Sequence, residues 1–390
     1  MSPSPKNAVV SYALSALVAA CALMGCNRPA ADAGETSAAP SPSAAPVTTS
    51  SAAAASAAPP EPKPSPRLAL PSEGFGVVDL HVDTPWRVHF KGRDKSLPEG
   101  HATIDKLREG NVAAVVYPLY IPDYANDNDP RVKDADEIFE TVDAIVAAHD
   151  ELVPAVAPGS AEERRGLEVP AGKIGVFFAI EGAQAFAEDI TQIDRFIARG
   201  VRLVGPVHYH DDDLASAATG KKDRGLTDLG KAFCRRVYEA GALVDVSHMS
   251  DRSFDDLVPI AAEHDAPIVA THSNARKLRG HPRNLSDEQL KIIAQTGGVA
   301  GLNLHRGFIR RGKAKMKHVV AMVKHMVDVA GVDHVAIGTD FDGGNPVPVV
   351  DDATKLPELA AALREEGFGD EDIRKVFGKN ALRILYWKIR

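Results

Sequence analysis

The run Gly76-Val77-Val78-Asp79-Leu80-His81-Val82-Asp83 is short, apolar and β-branched until it ends in a histidine and a carboxylate two residues apart. Alternate residues of an extended strand share a face, so His81 and Asp83 point the same way and one cation could take both. Zinc accepts neutral imidazole and carboxylate at about 2.0 to 2.2 Å, and a catalytic zinc keeps one position open for water. Alone, His-x-Asp is a weak signal, because most such pairs are satisfied surface groups. Its surroundings give it weight.

The same pattern recurs along the chain. Apolar runs at Gly76 to Leu80, Val112 to Leu119, Ile174 to Ile180, Val201 to Val207, Ala242 to Val246, Pro267 to Ala270, Gly298 to Leu304 and His334 to Gly338 alternate with amphipathic stretches such as Ala135 to His149, Asp228 to Ala240 and Asp287 to Thr296. Such alternation predicts βα units and a parallel sheet. Eight units predict a closed α/β barrel, the (β/α)8 TIM barrel, with its chemistry at the C-terminal ends of the strands.

Those ends are rich in metal-ligating residue types. The first run leads to His81 and Asp83, the third to Glu181, the fourth to His208, the fifth to His248, the sixth to His272 and the eighth to Asp340. Histidine is only 14 of 390 residues, so chance placement on one rim is a poor explanation. Glu181 follows the apolar Val176-Phe177-Phe178-Ala179-Ile180 and would be costly to bury without a positive partner. Capping of the following helix is its bland alternative. His248 and His272, taken singly, read as hydrogen-bonded core histidines. On successive strands of a barrel that carries the acids, they predict a second metal site beside the first.

Length and composition, 390 residues with 44% hydrophobic and 25% charged, suit one large domain with a buried core. The formal net charge is −8 with both signs interspersed, which leaves no basic stripe for a nucleic-acid partner. The N-terminus reads as an export signal over residues 1–25, with Lys6 ahead of the apolar Ala8 to Met24. Leu23-Met24-Gly25-Cys26 resembles a bacterial lipobox. That resemblance implies cleavage before Cys26, a lipid on its sulfur, and anchoring to a membrane of the bacterial cell envelope. An ordinary signal peptide, or an uncleaved helix with Cys26 incidental, is the alternative. Residues 26–71 are nearly all Ala, Pro, Ser and Thr and predict a disordered, semi-extended tether. The folded domain is expected over 72–390, where Cys234 is the single thiol and no internal disulfide can form.

From Val77 to Leu385 a series of marks follows in order. They are Asp79-Leu80-His81-Val82-Asp83-Thr84-Pro85, Ile180-Glu181-Gly182, Gly200-Val201-Arg202 leading to His208, and Gly225-Leu226-Thr227 leading to Leu243-Val244-Asp245-Val246-Ser247-His248. Thr271-His272-Ser273-Asn274-Ala275, His281-Pro282-Arg283-Asn284-Leu285 and Ile337-Gly338-Thr339-Asp340-Phe341-Asp342-Gly343 complete it. With them the chain resembles the membrane dipeptidases, the renal dipeptidase-like metallopeptidases of peptidase family M19, among the amidohydrolase-type barrels.

The resemblance implies two Zn2+ per chain, one held by His81 and Asp83, the other by His248 and His272, with Glu181 and a hydroxide bridging them. It implies that Asp340 takes a proton from that water and passes it to the leaving amine of a dipeptide. His208 would steady the oxyanion and Arg283 would grip the terminal carboxylate, as the guanidinium fork allows. Family members are often homodimers, and the lipid anchor would make this one a membrane-bound lipoprotein. Manganese or cobalt would suit the same nitrogen and oxygen donors. Each role has a rival: Asp340 as a turn cap in Asp340 to Gly344, Arg283 as a solvated loop charge, and His210 in place of His208.

Two departures stand out. Val82 replaces the Asn usual in the family, and Tyr209 to Asp213 is an acidic tract, expected to repel negative substrates or to select an ammonium group. A related amidohydrolase acting on N-acyl amino acids, D-residue dipeptides or β-lactams is the nearest alternative. Relatives of that kind often bridge their metals with a carboxylated lysine after the fourth strand, and no lysine stands there. An inactive tethered binding protein is the second alternative. It is disfavoured because every expected metal and proton-transfer position is filled.

Overall fold

The computed structural model describes residues 67–122 and 131–389. The expected signal peptide, Cys26 and the tether as far as residue 66 lie outside the described residues. Nine parallel strands are present: β1 (Val77–Asp79), β2 (Val112–Tyr120), β3 (Leu152–Pro154), β4 (Ile174–Glu181), β5 (Val201–Gly205), β6 (Leu243–Val244), β7 (Val269–Ala270), β8 (Val299–Leu302) and β9 (Val335–Ile337). Eight of them run in the order β6-β5-β4-β2-β1-β9-β8-β7. The last seam closes through a bridge between Asp245 and Val269 and a bond from Val246 N–H to the Val269 carbonyl at 2.8 Å. The fold is a (β/α)8 barrel, as the eight apolar runs predict. The ninth strand, β3, lies off the barrel and pairs with Ile174 to Val176, where β5 has not yet come alongside.

Several strands are shorter than their apolar runs. Ala242 to Val246 yields only Leu243–Val244 in the ladder, and Pro267 to Ala270 only Val269–Ala270. The reason is visible at their ends. Asp245 Oδ1 accepts from the N–H groups of Ser247 and Thr271, both at 3.0 Å, so a side chain takes over the pairing where the chain turns to build the rim. The three helices named from sequence appear at Val132–Ala147, Asp228–Glu239 and Asp287–Gln295. Thr227 caps the second of these, and Ser286 with Gln289 forms a capping box on the third. Among the described residues no helix is long and apolar enough to cross a membrane.

The end of the barrel opposite the strand C-termini is sealed by a buried arginine. Arg202 donates from Nε to the Leu385 carbonyl (3.0 Å), from Nη1 to Gly241 (2.7 Å) and from Nη2 to Trp387 (2.5 Å), which pins the C-terminal segment under β5. Burial lowers its pKa to about 9, so its charge is sustained by these carbonyl dipoles. Arg67 to Leu70, assigned to the tether from sequence, pack on the same segment. Arg67 Nη2 donates to the Ile389 carbonyl at 2.7 Å, Leu68 N–H donates to the Tyr386 hydroxyl at 2.9 Å, and Leu68 is buried. Leu68 and Leu70 are the first large apolar side chains after the Ala/Pro/Ser stretch, which explains the earlier start of packing. Replacing Arg202 with Met removes the side-chain donor of the Leu385 and Trp387 carbonyls, leaves Gly241 only the longer bond from Arg164 Nη1 (3.4 Å), and is expected to cost about 3 kcal/mol. Urea unfolding would show this as a lower midpoint with unchanged metal content.

Candidate metal centre

Six strand ends deliver the predicted side chains to one rim. His81 and Asp83 follow β1, Glu181 ends β4, His208 follows β5, His248 follows β6, His272 follows β7 and Asp340 follows β9. All are buried except Asp340, which is partly so. Their ligand atoms converge on one carboxylate oxygen. Glu181 Oε1 lies 3.0 Å from His248 Nε2, 3.5 Å from His81 Nε2, 3.6 Å from His272 Nε2 and 3.9 Å from His208 Nε2. His81 Nε2 is also 3.4 Å from Asp83 Oδ2. Three overlapping groups, His81-Glu181-His272, Glu181-His208-His248 and His81-Asp83-Asp340, each keep their ligand atoms within 4.8 Å of one another. The geometry joins all the predicted metal residues and adds His208 and Asp340 at their edge. His208 is the histidine turned inward, and His210 is exposed.

Electrostatics show what the cluster lacks. Burial alone would raise the Glu181 carboxyl, but His81, His208 and a hydrogen bond from His248 hold it well below the usual range. Burial lifts Asp83 above that range although His81 pulls it down. Burial first, and then the charge of Asp83, push Asp340 up to about 8. Burial, with Arg283 nearby, holds His248 well below its ordinary value, so its ring is neutral. Burial holds His272 down as well, whereas burial at His81 is outweighed by Asp83 and Glu181, which raise it well above its ordinary value. Crowded buried carboxylates facing imidazoles form a donor set that a pair of divalent cations would satisfy. The 3.1 Å between His248 Nε2 and His272 Nε2 fits such cations too, because both nitrogens reach the same oxygen.

A cavity of about 230 Å³ opens over the cluster, lined by Asp83, Glu181, His208, His248, His272 and Asp340 together with Trp86, Tyr120, Tyr209, Arg283, His305 and Phe308. Arg283 is buried and lies over the Phe308 ring at 5.6 Å. Its Nη1 donates to Ser273 Oγ at 3.3 Å, and its Nε has no hydrogen-bond partner among the described residues. A buried guanidinium with donors to spare is an anion site. Sequence reasoning missed the two remaining strand ends. β2 ends in Tyr120, which lines the cavity, and after β8 Asn303 Nδ2 donates to Asp340 Oδ2 at 3.1 Å while Asn303 Oδ1 accepts from His305 N–H at 2.6 Å. The rule that found the other six ends would have found these, had it admitted residues that are not metal ligands.

The acidic tract behaves differently from expectation. Asp211 accepts from the N–H groups of Ala217, Lys221 and Lys222, Asp212 from Leu214 and Ala215, and Asp213 from Gln184. None of the three lines the cavity. They fold their own loop and present Tyr209 to the site. Val82 is buried and donates its N–H to the Val116 carbonyl at 3.1 Å, part of the barrel wall.

A (β/α)8 barrel whose C-terminal rim gathers histidines and carboxylates beside a buried arginine defines a metal-dependent hydrolase. The chain belongs to the membrane dipeptidase family, peptidase family M19, whose model matches residues 72–387. An uncharacterised dipeptidase of Schizosaccharomyces pombe is 28% identical over 338 residues, covering 80% of each chain. An uncharacterised protein from the pqqA 5' region of Klebsiella pneumoniae is 34% identical over 217 residues, 53% of this chain and 79% of its own length. A metallopeptidase of Rhodobacter sphaeroides, solved with a phosphinate mimic of the dipeptide L-Ala-D-Ala, superimposes with a TM-score of 0.70 at 25% identity, over 81% of this chain and 100% of that one.

Gly343 is a close-approach position. A Cβ there would strike the Asp83 carboxylate and lie 2.6 Å from Asp340 Oδ1. Gly343→Ala is expected to displace both carboxylates, so that metal retained after dialysis falls below the wild-type content while the metal-free protein melts at the same temperature.

Proposed function

We propose that this chain is a zinc-dependent dipeptidase whose substrate presents a free C-terminal carboxylate. The observation that carries this reading is Arg283, a buried guanidinium with an unused donor, in the same cavity as the converging histidines and carboxylates. In the proposal His81 and Asp83 would hold one zinc and His248 and His272 the other, with Glu181 available to both. When bound, such a pair would supply Lewis acidity, for the scissile carbonyl and for a water nucleophile near neutral pH.

The chain's own residues supply the remaining roles. Arg283 takes the substrate carboxylate bidentately and so sets how far the peptide bond reaches into the cluster. His208, beside Glu181 on the cavity wall, stabilises the negative charge that develops on the carbonyl oxygen. Asp340, held by Asn303 against Asp83, would be ionised once cations beside it offset the burial and the Asp83 charge that raise it, and would then accept the proton of the attacking water and return it to the leaving amine.

The test is metal content and hydrolysis of residues 67–390, with and without a chelator, against L,L and L,D dipeptides and N-acyl amino acids. The expected result is close to two zincs per chain with chelator-sensitive dipeptide cleavage. Cleavage of N-acyl amino acids alone would replace the substrate, and absence of metal would overturn the mechanism. Asp340→Asn is expected to lower kcat by about 10²- to 10⁴-fold with zinc still bound. Arg283→Lys should mainly raise KM, since an ammonium cannot reproduce the two-point grip. Export and anchoring through lipidated Cys26 complete the proposal on the lipobox-like sequence alone. The mass of the mature N-terminal peptide would show the lipid or its lack.

A further inference from the structure

We propose that Asp245 and Thr271 together lock His272 in the tautomer that leaves Nε2, the ring nitrogen facing the cluster, free for a cation, which makes Thr271 a positioning residue of the metal centre. The protons can be followed atom by atom. Asp245 Oδ2 is 2.5 Å from Thr271 Oγ1, and a carboxylate has no proton to give, so the threonine hydroxyl donates. Ser247 Oγ, 2.6 Å from Asp245 Oδ1, likewise donates to that carboxylate. With its single proton spent, Thr271 Oγ1 can only accept from His272 Nδ1, 2.7 Å away. The ring proton therefore sits on Nδ1, and the Nε2 lone pair points at Glu181 Oε1, 3.6 Å off. A lone pair facing a carboxylate oxygen is repulsive unless a cation, or the proton of His248 Nε2 at 3.1 Å, lies beside it.

This support is particular to His272. The Nδ1 atoms of His81 and His248 are buried with no hydrogen-bond partner among the described residues. Thr271 is itself wedged in place. A Cβ on Gly301 or on Gly338 would collide with its carbonyl oxygen, and its N–H donates to Asp245 Oδ1 at 3.0 Å. Across the barrel a second pair has the same wiring without a ring. Thr339 Oγ1 donates to Asp79 Oδ2 at 2.6 Å, but what it accepts is the main-chain N–H of Phe341, at 3.1 Å. Only at the first pair does the threonine reach an imidazole.

The inference rests on the metal-centre reading above, and the test separates the two. Metal-free protein is titrated with Zn2+ by calorimetry in the wild type, Thr271→Val, Thr271→Ser and Thr339→Val. Two ions are expected in the wild type. Thr271→Val, isosteric but without the acceptor, should keep the first and bind the second roughly 10- to 100-fold more weakly. Thr271→Ser should restore that affinity, and Thr339→Val should leave it alone. Wild-type protein that binds no zinc would sink the metal reading itself. Two ions in the wild type with an unchanged second affinity in Thr271→Val would overturn the lock, as would equal weakening by Thr339→Val, which would mark a general loosening of the seams. A Thr271→Val protein that loses both ions is judged by the serine variant: recovery there supports the hydroxyl's role, and failure there overturns it.

Discussion

One carboxylate oxygen faced by four imidazole nitrogens at the mouth of a barrel is the arrangement that the rest of the molecule accommodates. Glu181 Oε1 has the Nε2 atoms of His81, His208, His248 and His272 between 3.0 and 3.9 Å. Burying an acid beside His248 and His272, whose rings burial keeps neutral, is unfavourable without positive charge. Such a cluster survives only on a scaffold that gains its stability elsewhere and grips each member by its backbone. Strand β4 meets the first need. It is paired along its length with β2, so Glu181 is the last residue of a continuous ladder and cannot retreat.

The grip comes from two aspartates, each at a seam. Asp79 accepts from His81 N–H and from the N–H and hydroxyl of Thr339, tying β1 to the segment after β9. Asp245 does the same between the ends of β6 and β7. Each substitutes a carboxylate for ladder bonds where the strands part, so the rim can turn inward without leaving N–H groups unpaired. Beyond Thr339 the chain enters left-handed conformations at Asp340 (φ 62°) and Asp342 (φ 68°), positions that aspartate tolerates better than most side chains. Asp342 is held there by Thr84 and Arg93 side chains and by His101 N–H. Local strain beside Asp83 is thereby offset by neighbouring bonds.

Most of this was legible in the sequence because two periodicities coincide. Alternation within a strand put His81 and Asp83 on one side, and repetition of βα units put six ligand-bearing strand ends on one rim. What resisted reading was everything that depends on which neighbour a strand end meets. Asp245 and Thr271 are 26 residues apart, and nothing local shows that their side chains bond. Asn303 carries no charge and binds no metal of the usual kind, so a search for ligands passes over it. The ladder boundaries of β6 and β7 were misjudged for the same reason, since a side chain completes the pairing that the apolar runs suggest.

The acidic tract after His208 shows how a residue's type can mislead about its work. Three consecutive aspartates beside a binding cavity suggest a field that sorts substrates by charge. Their oxygens are instead taken up by N–H groups of residues 214 to 222 and by Gln184, bonds that set the path of the loop. None of the three lines the cavity. Charge discrimination then falls to the groups that line the cavity, where Arg283 is the buried cation and Tyr209 and Phe308 offer ring faces. What the loop contributes to the cavity wall is Tyr209.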